Sequence, residues 1–216
     1  VPLIFLGENP AIHYGELGGS LDGDANRMKY CHTLEGGNLD AWLMGNISEQ
    51  DVFWYRYPSD REMSNAGLRI VYLGYYIKDF ISFANAEFAI AHGLEARRDP
   101  PEDIGHTYAF DALDEDFVHV NQMLKYFKFG FGKMTDMAND AVRLKVITRG
   151  QAMELIEKYD GKCAPRFIRA FCRYLDITEE EFWSTAESFR DRTIWGKDRH
   201  GNWVLKEAEF LNPSLR

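Results

Sequence analysis

The segment whose residue types and spacing could best do chemistry is Lys128–Asp136, which reads KFGFGKMTD. Gly130 and Gly132 interrupt two stretches of helical hydrophobic periodicity, and a lysine lies on each side of them. Backbone N–H groups at the start of a helix lack partners within the helix and carry partial positive charge. The glycines would let an anion approach closely, and Lys128 and Lys133 would add charge. The segment is therefore a candidate phosphate or carboxylate site.

The same segment also fits an architectural corner between two helices, with Thr135 or Asp136 as the N-cap of the second helix. An isolated GxGK pattern is a weak signal, and it matches neither the Walker A motif nor the dinucleotide-binding fingerprint. On the residues alone, both interpretations stay open.

The elements that must position this segment are predicted to be helices. Two capping boxes, Thr148 with Gln151 and Thr178 with Glu181, mark helix starts downstream of it. Hydrophobic periodicity and these caps predict helices over Asp116–Phe129, Thr135–Leu144, Gln151–Tyr159, Pro165–Leu175 and Glu179–Arg190, and a hairpin over Trp195–Leu205.

The first half of the chain has α/β character. The apolar run Val1–Leu6 is typical of a strand buried on both faces, and Leu68–Ile77 predicts a second buried strand. Helices are predicted over Asn38–Tyr57, Asp60–Ala66 and Phe80–His92. This order of elements is typical of βαβ winding.

Two polar residues, Glu8 and Asn9, directly follow the first predicted strand. In open parallel sheets the ligand crevice lies beyond the carboxyl ends of the strands, so these residues could face a ligand or Mg²⁺. They could equally form an ordinary polar turn. The segment Leu94–Asp114 combines arginines, prolines and acids, and predicts a loop or domain boundary.

Composition excludes several classes of protein. The chain has 216 residues, is 45% hydrophobic and carries a formal net charge of −9, which indicates a folded protein without a general nucleic-acid-binding surface. Three cysteines without a CxxC pattern argue against a disulfide framework and favour a reducing cytoplasm. No apolar run reaches the roughly 18 residues that a membrane span needs.

Three blocks together resemble the N-acetyl sugar amidotransferases of the PP-loop ATP pyrophosphatase superfamily. They are PLIFLGENPAIHYG at Pro2–Gly15, VYLGYYIKD at Val71–Asp79, and KFGFGKMTDMANDAVRLKVITRGQAMELIEKYDG at Lys128–Gly161, extended by DITEEEFW. The implied fold is α/β: the end of a parallel-sheet PP-loop (adenine nucleotide α-hydrolase-like) domain over residues 1–114, then a mainly helical domain with a short hairpin over residues 115–216. The family's ATP-binding loop and cysteine-rich segment have no match here, so we expect the chain to be a C-terminal portion.

The resemblance implies an ATP- and Mg²⁺-dependent enzyme of surface polysaccharide or nonulosonic acid biosynthesis. It would convert the N-acetyl group of an activated sugar into an acetamidino group, with ammonia from a glutaminase subunit that works with a cyclase-like partner. The alternative is a non-catalytic docking module for that glutaminase or another subunit, and a stand-alone nucleotide-binding protein is the least favoured. Homo-oligomerisation is left open.

The resemblance also assigns roles to single residues. It implies Glu8 and Lys133 as catalytic residues, with Glu8 also binding the metal. For ATP it implies Lys128, Gly130, Gly132 and Lys133, and for the sugar Asn9, Thr135, Asp136 and Arg143.

Overall fold

The computed structural model describes residues 1–7, 22–31, 35–77 and 81–206. Glu8 and Asn9 lie outside these ranges, so their predicted roles stay predictions. The chain forms two compact units, Val1–His92 and Gly93–Arg216. The segment from Gly93 lies in the second unit, where the backbone carbonyl of Asp103 accepts a hydrogen bond from the N–H of Ala164 at 2.8 Å. The domain boundary predicted between residues 114 and 115 stays a prediction.

The first unit contains a parallel pair of short strands, β1 (Leu3–Leu6) and β2 (Arg69–Tyr72). Its helices are α1 (Asp60–Asn65), α2 (Leu73–Tyr76) and α3 (Ser82–Ala91). The two strands and α1 confirm the α/β character of this region. The PP-loop domain itself is not shown by these elements and stays a prediction.

Three predictions for the first unit are wrong. The strand predicted over Leu68–Ile77 ends at Tyr72, and Leu73–Tyr76 is helical. The strand β1 is not buried on both faces, since Leu3 is 44% and Phe5 58% exposed, and in the described part of the chain it pairs with β2 alone. The predicted helix Asn38–Tyr57 is a series of turns with one 3-10 turn at Phe53–Tyr55. Side chains compete with helical bonding there, because the side chain of Asn38 accepts a hydrogen bond from the N–H of the residue two positions on.

The second unit is helical, as predicted. Its helices are α4 (Pro101–Ile104), α5 (Phe117–Phe129), α6 (Lys133–Arg143), α7 (Arg149–Tyr159), α8 (Pro165–Leu175) and α9 (Glu179–Ser188). Both predicted capping boxes are confirmed: Thr148 and Thr178 each accept a hydrogen bond from the N–H three residues on, and the side chain at that position bonds back.

Two hydrophobic cores hold these helices together. The larger one is formed by α5, α8 and α9 around Val120, Met123, Phe167 and Phe182. The smaller one lies between α6 and α7, where Met134 and Ala138 are fully buried. The corner between α5 and α6 therefore joins two separately packed groups of helices.

The predicted hairpin is confirmed as β3 (Trp195–Lys197) and β4 (Trp203–Leu205), which pair antiparallel. It is fixed to the helices because the indole N–H of Trp195 donates to the carbonyl of Phe127 at 2.7 Å. The guanidinium of Arg190 lies 3.7 Å from the ring centroid of Phe127 and 4.7 Å from that of Trp195. Within the described ranges, no helix combines the length and apolar character required to cross a bilayer.

Candidate functional site

The KFGFGK segment forms the turn between α5 and α6. Gly130 ends α5 in the left-handed region, at φ 74°, and Gly132 is the N-cap of α6. A Cβ atom at Gly130 would lie 2.7 Å from Cδ2 of Leu205, so the hairpin packs closely against this turn. Gly130 is therefore favoured by its left-handed dihedral angle, and a side chain there would also require Leu205 to move.

The N-terminus of α6 already holds an anion, the carboxylate of Asp160. Its oxygens accept hydrogen bonds from the backbone N–H groups of Gly132 and Met134, each at 2.9 Å, and of Thr135 at 3.3 Å. The hydroxyl of Thr135 donates to the same carboxylate at 2.5 Å. The side chain comes from the end of α7 and is buried. In this structure the donors that the sequence offered to an external anion are therefore engaged by the protein itself.

This arrangement corrects the predicted cap. Thr135 and Asp136 do not cap α6, because the helix begins at Lys133 and places them within its first turn and a half. The cap residue is Gly132, which has no side chain, and Asp160 supplies the acceptor from a distant part of the chain. A Cβ atom at Gly132 would lie 2.8 Å from Oδ1 of Asp160, so the carboxylate fills the space left by the glycine.

The ammonium of Lys133 points away from this carboxylate to a second one. Its Nζ lies 3.0 Å from Oδ1 of Asp111, and both side chains are mostly buried. The other oxygen of Asp111 lies 3.8 Å from Nε2 of His106. Lys133 and Asp111 thus form an ion pair on one side of the corner, with His106 beside it.

The histidines behind this cluster are held neutral. Burial lowers the pKa of His106 to about 4, although Asp111 acts in the opposite direction, and burial also lowers the pKa of His119. Nδ1 of His106 accepts the backbone N–H of Tyr108 at 3.2 Å, which places the proton of the neutral ring on Nε2. Among the described residues, neither ring nitrogen of His119 has a hydrogen-bond partner.

The remaining predicted residues lie elsewhere on these helices. Lys128 lies over the ring of Phe189, 4.3 Å from its centroid, and Asp136 accepts a hydrogen bond from Lys125 at 2.5 Å. Arg143 ends α6, is exposed and pairs with Asp140. Since a helix rises about 1.5 Å per residue, Arg143 is about 15 Å from Lys133 along the axis.

Sequence reasoning missed three residues of the corner: Asp160, Asp111 and His106. Asp160 precedes a glycine that ends a helix, a position that also fits an ordinary exposed turn, so no local signal marked it. Among the described residues no group of three His, Cys, Asp or Glu side chains could hold a metal ion. The predicted Mg²⁺ ligand, Glu8, lies outside those residues.

The chain was compared with known proteins. Residues 104–208 match the family described as LPS biosynthesis protein WbpG-like, C-terminal domain. This range begins at the end of α4 and contains the whole corner, Asp111, Asp160 and the hairpin. The match supports a WbpG-like family for the helical part of the chain. A search of curated proteins finds no match.

Proposed function

We propose that the chain is part of an ATP-dependent amidotransferase of bacterial surface polysaccharide or nonulosonic acid biosynthesis. The observation that carries the proposal is the match of residues 104–208 to a domain of LPS biosynthesis proteins. It covers the KFGFGK block and the helices that follow, where the sequence independently resembles N-acetyl sugar amidotransferases. The substrate would be an activated N-acetyl sugar in the cytoplasm.

In the proposed reaction the amide oxygen of the N-acetyl group attacks the α-phosphorus of ATP, and pyrophosphate leaves. Ammonia from a glutaminase subunit, acting with a cyclase-like partner, then attacks the activated carbon and displaces AMP. The product is an acetamidino group. Negative charge develops on the leaving pyrophosphate, so cations placed beside it would lower the barrier. Mg²⁺, held by Glu8 in this proposal, would supply part of that charge.

Lys133 is the corner residue best suited to this task. Among the residues that the structure describes, its ammonium pairs with one carboxylate, that of Asp111 at 3.0 Å, and the side chain is 27% exposed. A polyphosphate could exchange with Asp111 as its partner. Lys128 lies on another side of the corner, over Phe189, so the two lysines are not expected to act on one phosphate in this arrangement.

The proposal is tested by Lys133→Ala in the full-length protein, with ammonium salt as nitrogen donor and AMP release as the readout. Removal of one stabilising group at a developing charge typically lowers turnover by about 10²-fold, and we expect a loss of that size. Lys162→Ala, an exposed lysine outside the corner, is the matched control. Wild-type turnover in a well-folded Lys133→Ala protein would show that Lys133 takes no part in the reaction.

A second function, docking of a partner subunit, is favoured by one observation. The donors at the start of α6 are engaged by Asp160 and the ammonium of Lys133 by Asp111, as in an architectural corner. Under this alternative, Lys133→Ala changes folding or affinity for the glutaminase partner and leaves AMP release per assembled complex unchanged. Titration of the variant with the glutaminase subunit separates the two functions.

A further inference from the structure

A partly apolar groove runs along α5 at the edge of the larger core. One part, about 420 Å³ in volume, is lined by Asn121, Leu124, Lys125, Lys128, Phe129 and Phe131. A second depression of about 310 Å³ shares Asn121 and Leu124 with the first and continues to Phe117 and Phe171. The two are therefore one continuous groove along the helix.

The groove follows a helical stripe. Phe117, Asn121, Leu124 and Lys128 are spaced i, i+4, i+7 and i+11, which places them on one face of α5. At its C-terminal end the rings of Phe129 and Phe131 are 59% and 40% exposed. A helix face with exposed aromatic rings beside a groove is typical of an interaction surface.

The ends of the groove carry opposite charges. Glu115, which lines the N-terminal end, has no ion pair among the described residues, and its carboxylate accepts the backbone N–H of Phe117 at 2.6 Å. Lys128, at the C-terminal end, also has no carboxylate partner within the described ranges and lies over the ring of Phe189. Glu115 precedes the first residue of α5 by two positions and Lys128 is the penultimate residue of the helix, so about 16 Å of helix lies between the two ends of the groove.

We propose that this groove is an interface between two copies of the chain, with the α5 helices antiparallel about a two-fold axis near Asn121. In this arrangement Glu115 of each copy lies beside the partner's Lys128, so one contact is formed twice by symmetry. The charge pattern of the groove is therefore complementary to itself. The proposal does not depend on the enzymatic function proposed above.

The same two charges would also stabilise α5 alone, since an acid near the N-terminus and a base near the C-terminus compensate the helix dipole. Charge-reversed variants distinguish a contact between two copies from compensation of the helix dipole within one copy. Lys128→Glu places two acids together at each end of the interface, and Glu115→Lys places two bases together. A mixture of the two variants restores an opposite-charge pair at both ends, although each variant helix still has a reversed charge.

The test is sedimentation velocity of the whole chain over a range of concentrations. We expect twice the 25.0 kDa of one copy for the wild-type chain. Each single charge reversal should raise the dissociation constant roughly tenfold, because two exposed ion pairs become repulsive. An equimolar mixture of both variants should return to the wild-type constant, and Glu154→Lys, an exposed acid on α7, should leave the constant unchanged.

Three results would overturn the proposal: a 25.0 kDa species at every concentration, a dimer insensitive to both reversals, or a mixture that stays dissociated. If a charge-reversed variant folds poorly, a crosslinking assay on a cysteine variant tests the interface in its place. Asn121→Cys should crosslink to its partner copy with a short bismaleimide. The matched Asn139→Cys on α6 and the wild-type chain should not, and equal yields in all three would also refute the interface.

Discussion

Replacing Asp160 with alanine should disrupt the corner between α5 and α6. The carboxylate accepts four hydrogen bonds, of which those from the N–H groups of Gly132 and Met134 are buried and those from Thr135 are partly buried. A buried donor left without a partner costs about 1–3 kcal/mol. Water can hydrogen-bond to the partly buried N–H and hydroxyl of Thr135, so the loss of stability depends mainly on the two buried donors. We expect a loss of about 3–4 kcal/mol, a large part of the stability of a typical domain.

Amide hydrogen exchange measures this loss at the affected atoms. Protection of the Gly132 and Met134 amides should fall about 10²- to 10³-fold in Asp160→Ala, the equivalent of 3–4 kcal/mol, if they exchange by local opening. Asp160→Asn keeps one acceptor oxygen, so the protection of these amides should lie between the wild-type and Asp160→Ala values. Asp136→Ala is the matched control, because it removes an exposed acid from the start of the same helix and should change little. Wild-type protection at both amides in Asp160→Ala would refute the account of the corner.

Two further predictions concern stability. Burial lowers the pKa of His106 to about 4, so the unfolded chain binds a proton that the folded chain excludes, and stability should rise with pH between about 4 and 6.5. Between pH 7.5 and pH 5 this group should lower the unfolding free energy by about 2 kcal/mol. Urea titrations should show a smaller pH dependence of the unfolding free energy in His106→Gln and the wild-type dependence in His200→Gln. A pH dependence that His106→Gln leaves unchanged would refute the prediction. Gly161→Ala should destabilise by about 2 kcal/mol or more, since φ is +74° and the new Cβ would lie 2.1 Å from a tyrosine ring on α5. Gly150→Ala in α7 meets only a hydroxyl at 3.9 Å and should be neutral or stabilising, so equal Tm shifts in the two variants would contradict this reasoning.

The helices of the second unit were predictable because their boundaries are set locally. Helix α8 has the predicted bounds at both ends, since Pro165 can start a helix and Asp176 adopts the left-handed conformation just beyond its end. The capping boxes at Thr148 and Thr178 involve residues three apart, so the sequence contains the whole motif. The hairpin was likewise visible as two short apolar pieces around a polar turn.

The first unit was harder to predict because its signals depend on what packs against them. The strand β1 has the composition of a strand buried on both faces, yet its side chains are largely exposed. The stretch Asn38–Tyr57 contains apolar residues at helical spacing, but Asn38, Ser48 and Asp51 bond to nearby backbone or side-chain groups in turns. Hydrophobic periodicity depends only on the positions of apolar residues, so it does not detect polar side chains that compete for the backbone hydrogen bonds of a helix.

The corner shows what a local motif can and cannot determine. The glycines and the helix start predicted a position for an external anion, and in the structure the carboxylate of Asp160, 28 residues after Gly132, accepts the hydrogen bonds there. Sequence spacing carries no information about such a contact. The predicted roles of Glu8, Lys133 and the other site residues stay predictions.

Energetics decide which part of this corner could still serve a polyphosphate. An external anion at the start of α6 would have to displace Asp160 and replace the four hydrogen bonds that this carboxylate accepts. The pair of Lys133 and Asp111 is a weaker obstacle, because it is one ion pair with 27% and 23% of the two side chains exposed, so water screens it in part. A phosphate would therefore be expected at the Lys133 ammonium and not at the backbone N–H groups. Asp111→Asn should then strengthen pyrophosphate binding to the chain, whereas Asp160→Ala should weaken folding. Stronger pyrophosphate binding in Asp160→Ala and not in Asp111→Asn would locate the anion at the helix start.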